Sequence, residues 1–153
     1  MLSSSNLPLR LAGLAAGISI ILLRQELDSR LPVVLLTLLV FLGPYLIIGF
    51  VPKHMGPLQV GFASGYALSM LVALTIYFVL RSFGFTTPAP VAAYKVELLL
   101  NFALLAIAVN TWIRLRNEID QRAAFSMLAL GFGYPFFAFC FVLVLGHLLL
   151  DRA

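Results

Sequence analysis

Four stretches of this chain, residues 31–51, 58–80, 91–113 and 123–150, each run beyond twenty residues with almost no charge. A helix needs about 20 predominantly apolar residues to cross the hydrocarbon core of a bilayer. The first two runs carry no charged residue, the third carries Lys95 and Glu97, and the fourth carries only His147. Between them lie short, turn-like connections, "VPKHMGP", "RSFGFTTPAP" and "RLRNEIDQR". Connections this short make neighbouring spans antiparallel and leave no room for a domain outside the bilayer. The expected fold class is therefore all-α: one polytopic transmembrane helical bundle over residues 1–153, with no internal repeat and no low-complexity segment.

Composition agrees. Only 10% of the 153 residues are charged and 62% are hydrophobic, with a mean hydropathy of +1.06. A water-facing domain carries about 25% charged residues, so most of this exterior is expected to meet lipid or other apolar protein. A net charge of +4 without a Lys/Arg tract offers nucleic acid no surface. Cys140 is the sole cysteine, so there is no disulfide framework, redox pair or zinc set. It reads as a small apolar packing residue.

Residues 7–23 are the marginal case. Seventeen residues with Arg10 near one end sit at the lower limit for a span, and Arg10 can reach outward along its stem. The pattern also resembles a signal peptide. Pro8 after Asn6 suits a capped helix start. The expectation is a fifth, short span; the alternative is an interfacial helix, which a strongly amphipathic pattern would favour and this all-apolar segment does not. With five spans, Arg10, Lys53, Arg114, Arg116 and Arg122 lie on one side, and Arg24, Arg30, Arg81 and Arg152 on the other. The cluster at 114–122 tips the near balance towards a cytoplasmic N-terminus in a membrane of the bacterial inner type.

Two GxxxG patterns occur, Gly13 to Gly17 and Gly61 to Gly65. In the second, Gly61, Ser64, Gly65, Val72 and Thr75 fall in one narrow arc at about 100° per residue. Small residues on one face let helix backbones approach closely, within the bundle or against another subunit.

Lys95 and Glu97, two residues apart, point to opposite faces of a helix and cannot pair with each other. Lys95 shares its face with Leu99, Ala106 and Ile113 and can lift its ammonium to the headgroups. Glu97 lies deeper, with Tyr94, Asn101, Ala108 and Thr111 on its arc, a polar and small stripe that should face other helices. Its carboxyl group reads as a structural hydrogen-bonding or ion-pairing group, as a partner for another subunit's cation, or as a proton- or ion-handling site. By span parity Glu97, His147, Arg24, Arg30, Arg81, Asp151 and Arg152 share one side of the bilayer. Glu97, Asn101, Tyr94 and His147 form the candidate intramembrane polar cluster.

His54 and His147 invite a haem or pigment. Parity puts them on opposite sides, separated by roughly the 30 Å core, so one monomer cannot clamp one haem with both. Each stays a weak single-ligand candidate, and His147 also suits a helix C-terminus with Asp151 one turn on. Pro44 and Pro135 fall inside spans and are expected to kink them. The last span is rich in phenylalanine, which suits lipid, a partner helix or a flat apolar cofactor, and Trp112 beside Arg114 marks an interfacial belt. No catalytic motif stands out.

These readings converge on a non-enzymatic integral membrane protein, expected to anchor or scaffold other membrane subunits through small-residue and aromatic helix faces. The alternative is a small self-associating transporter or channel using Glu97 and the proline-bearing spans. A third reading is a single-histidine haem- or pigment-binding subunit. Lipid is expected at the surface under all three.

Overall fold

The computed structural model describes residues 7–23, 31–50, 56–85 and 91–150. Five α-helices follow one another: α1 (Leu7–Leu23), α2 (Leu31–Phe50), α3 (Gly56–Ser82), α4 (Val91–Leu115) and α5 (Gln121–Leu150). The boundaries fall within a few residues of those expected from hydropathy. Among the described residues three helices contain stretches long and apolar enough to cross a membrane, Leu58–Ser82, Tyr94–Leu115 and Gln121–Leu148. They are compatible with a membrane protein.

Local chemistry explains where the helices begin and end. Pro8, Pro32 and Pro57 each occupy the second position of a helix, where the missing N–H leaves no bond unmade. Helix α3 closes with the Phe85 N–H donating to Leu80 O at 3.0 Å and the Gly84 N–H to Arg81 O at 3.0 Å. Gly84 adopts φ +77° to make that turn, a left-handed conformation that suits a residue without Cβ. Asp120 immediately precedes α5, and its carboxylate accepts from the Arg122 N–H at 3.0 Å, a favourable place for negative charge. Its first side chain, Gln121, accepts from Trp112 Nε1 at 3.0 Å and donates to Arg116 O at 2.7 Å. One amide thus clamps the α4–α5 turn.

Glycine sets how the helices pair. A Cβ on Gly61 would meet the backbone carbonyl of Ala124, one on Gly65 that of Leu128, and one on Gly131 that of Phe62. From Gly61 against Ala124 to Gly65 against Leu128 and Phe132 both residue numbers rise together, so the two helices run parallel, and Gly131 sits against the Phe62–Tyr66 turn between them. This is the closest helix pair in the bundle. Helix α1 meets α2 the other way: Gly13 lies against Ile48 and Gly17 against Tyr45, an antiparallel pairing. Helices α3 and α4 are antiparallel too, Tyr77 near the end of α3 meeting Tyr94 at the start of α4 with ring centroids 4.5 Å apart and planes tilted by 31°.

Helix α3 is the centre of the molecule, every residue from 59 to 67 being buried. Around it, Tyr45, Tyr66, Phe62 and Tyr134 form an aromatic core. Tyr45 meets Tyr66 edge-on at 5.0 Å, and Tyr134 meets both Tyr66 and Phe62 near 6 Å, at 6.2 and 6.3 Å. Edge-to-face contacts of this kind are favourable beyond the area they bury.

Helices α2 and α5 continue through Pro44 and Pro135. Pro44 has no N–H for the carbonyl of Val40. The neighbouring carbonyl, Phe41 O, accepts the Tyr66 hydroxyl at 2.9 Å, a side-chain bond that supports the interrupted turn. Cys140 faces outward from α5 and does not serve as an interior packing residue. Val72 and Thr75, expected on the small-residue arc with Gly61, are exposed as well.

Candidate functional site

A side-chain hydrogen bond joins α4 to α2 across the interior. Asn101 is buried, and its amide donates from Nδ2 to the Glu97 carbonyl at 2.8 Å. A carbonyl can only accept, so that bond fixes the amide orientation and turns Oδ1 towards α2. There it accepts the Tyr45 hydroxyl at 2.7 Å. The pair ties α4 to α2 through a short bond between two fully buried side chains.

Glu97 is 1% exposed, on the same inner face of α4 as Asn101, Ala108 and Thr111, all buried. Its backbone carbonyl, not its carboxylate, serves Asn101. The sequence grouped these residues on one arc but could not separate the two functions of Glu97. Thr111 donates to Ile107 O at 2.7 Å, which satisfies it within its own helix. Lys95, on the opposite face, is exposed.

The other expected members are placed differently. Tyr94 is half-buried and its ring meets that of Tyr77 at a tilt. His147 lies in the last turn of α5 on the exposed surface, a different environment from sealed Glu97. His54 lies outside the described residues, as do Arg24, Arg30, Asp151 and Arg152. Among the described residues no group of three or more His, Cys, Asp or Glu side chains could hold a metal ion. Ser64 donates within its own helix to Val60 O at 2.8 Å, and Gly13, Gly17, Gly61 and Gly65 are the close-approach points between helices described above.

Gln59 and Ser69 are interior polar residues that carried no expectation from the sequence, and Arg10 departs from the one it had. Gln59, buried at the start of α3, donates from Nε2 to Ile48 O and links α3 to the end of α2. Arg10 is half-buried on α1 rather than fully outward. Ser69 is fully buried, and its hydroxyl has no partner among the described residues. A glutamine at the head of an otherwise apolar run was a visible signal. A serine in a helix was not, because most such hydroxyls bond the carbonyl one turn back.

Ser69 lies on the inner wall of a cleft of about 290 Å³ to which α2, α3, α4 and α5 all contribute. A second, shallower groove on the outer side of α3 and α4 has Lys95 at its edge beside Thr75 and Phe102. The fold and these sites define a five-helix bundle with an apolar exterior and a polar seam within. No family model matches the chain, and no curated protein or solved structure matches it either.

Proposed function

We propose that the chain is a multi-pass membrane protein of the bacterial inner-membrane type, whose five helices form a non-catalytic scaffold for other membrane subunits. The observation that carries this reading is the outer face of α5. Phe136, Phe137, Phe141 and Val144 project from it, Phe137 with 78% of its surface exposed. Only 19% of the most apolar stretch of that helix is buried in the bundle. The close-approach glycines on α3 are used inside the bundle, so the aromatic face of α5 is the surface left for another helix. Large flat side chains give such a contact area at low entropic cost. The interior polar bonds support the same reading, since Tyr45–Asn101 and Gln59–Ile48 join helix to helix.

Purification in mild detergent followed by native mass spectrometry tests it. A heterologous chain should co-purify at fixed stoichiometry and be lost from Phe137→Ala/Phe141→Ala, while the variant keeps its helical content. A symmetric self-oligomer in place of that partner would favour transport or conduction. One observation speaks for that second reading: Glu97 is a carboxylic acid buried deep on the inner face of α4, and acids inside membrane bundles often handle ions or protons. The haem or pigment reading rests on His147, the one histidine among the described residues, and visible-range absorption of the purified protein would support it.

A further inference from the structure

We propose that the cleft between α2, α3, α4 and α5 binds a flat lipophilic ring bearing a carbonyl oxygen, such as a quinone or ring ketone, with Ser69 as hydrogen-bond donor. This goes beyond the scaffold reading and rests on the membrane reading only for the route by which the ligand arrives.

The shape of the cleft argues for a ring. Its volume of about 290 Å³ is roughly twice the ~150 Å³ apolar cavity that accepts benzene, so a fused two-ring body fits. Phe41, Tyr77, Tyr94 and Phe136 supply ring faces and edges to its walls, and offset or edge contacts with a flat guest are favourable.

The chemistry of the inner wall argues for a carbonyl. Along α3, Ser64 and Thr75 donate to the carbonyls four residues back at 2.8 and 2.7 Å. Ser69 departs from that habit: it is 0% exposed and its hydroxyl lacks a partner among the described residues. A buried hydroxyl without a partner is unfavourable, and a carbonyl oxygen entering the cleft removes that penalty. A few polar groups among apolar walls, the Ser69 hydroxyl on the inner wall and the tyrosines Tyr77 and Tyr94 beside it, are the pattern of a small-ligand pocket, in which apolar surface supplies affinity and polar groups fix orientation.

Access comes from the side. Ala73 and Phe136 line the cleft and are both exposed on the outer surface of the bundle. A guest dissolved in the bilayer can therefore enter without crossing water, and an apolar tail can leave by the same gap.

The test uses the full chain in lipid nanodiscs with tritiated 2-methyl-1,4-naphthoquinone, protein-free nanodiscs serving as the blank. Saturable binding at one site per chain is expected, with 2-methylnaphthalene, the same ring body without oxygens, competing about tenfold more weakly. Ser69→Ala should weaken quinone binding by about the same factor and leave 2-methylnaphthalene unaffected. Ala73→Trp places a bulky ring in the mouth of the cleft from an exposed position and should abolish both. Uptake no greater than the blank overturns the proposal. So does equal affinity for the two compounds, or quinone binding unchanged by Ser69→Ala, since either means an apolar slot that any acyl chain could fill. If Ser69→Ala fails to fold, the comparison of the two compounds and the Ala73→Trp variant still decide.

Discussion

At the scale of single residues, the buried amide of Asn101 illustrates how polar groups are used in this bundle. Its two ends are committed to Glu97 O and to the Tyr45 hydroxyl. Tyr45→Phe keeps the ring, and with it the edge contact to Tyr66, but leaves a buried acceptor without its donor. The expected destabilisation is about 1–3 kcal/mol, read from the midpoint of unfolding in a detergent series. Glu97 and Lys95 should respond in unlike ways because they stand on opposite faces of α4. Lys95→Leu acts at an exposed position and should leave unfolding essentially unchanged. Glu97→Leu removes the hydrogen-bonding capacity of a side chain sealed in the interior and should be clearly destabilising. Glu97→Gln retains most of that capacity and should fall closer to the wild type. Asn101 should stay bonded in both Glu97 variants, since it depends on the backbone of Glu97. A Lys95→Leu variant less stable than Glu97→Leu would contradict the assignment of faces on α4.

At the scale of helices, glycine positions divide into those that hold a pair together and those that do not. On Gly61 and Gly65 a new Cβ would press on the backbone of α5, which cannot yield as a flexible side chain would. Gly61→Ala and Gly65→Ala should therefore destabilise by about 1–3 kcal/mol, despite alanine's better helix propensity. A Cβ on Gly146 would meet nothing within 4 Å, so Gly146→Ala should be neutral or stabilising by up to about 1 kcal/mol. Unfolding midpoints of the three variants, measured side by side, check the contrast; similar values would mean that the α3–α5 contact is looser than its geometry implies. The GxxxG spacing was legible in the sequence, but its partner was not. Nothing in residues 61–65 announces that the facing helix is α5 and not α4, or that Gly131 on α5 completes the contact.

For the whole molecule, the alternation of helices leads to a topological prediction. With α3 antiparallel to α4 and parallel to α5, Gly56 and Glu118 belong at one end of the bundle, and Ser82 and His147 at the other. Single cysteines at these positions in a Cys140→Ala background should react with an impermeant thiol reagent from opposite sides of a sealed vesicle in those two pairs. Labelling of Gly56→Cys and Ser82→Cys from the same side would refute the crossing of α3.

The sequence alone determined the helices and nearly all their ends, because apolar run length, proline in the first turn and short connections act locally. It also separated the faces of α4, since 100° per residue is a property of one helix. What it could not determine was which helices meet. The parallel pairing of α3 with α5, the Tyr45–Asn101 bond and the cleft beside Ser69 each join residues more than fifty positions apart or combine four helices. In a chain that is apolar almost all round, hydrophobic patterning scarcely marks an inner face. The partners are selected by close backbone approach and by the pairing of a few polar groups, and these exist only once the helices have packed.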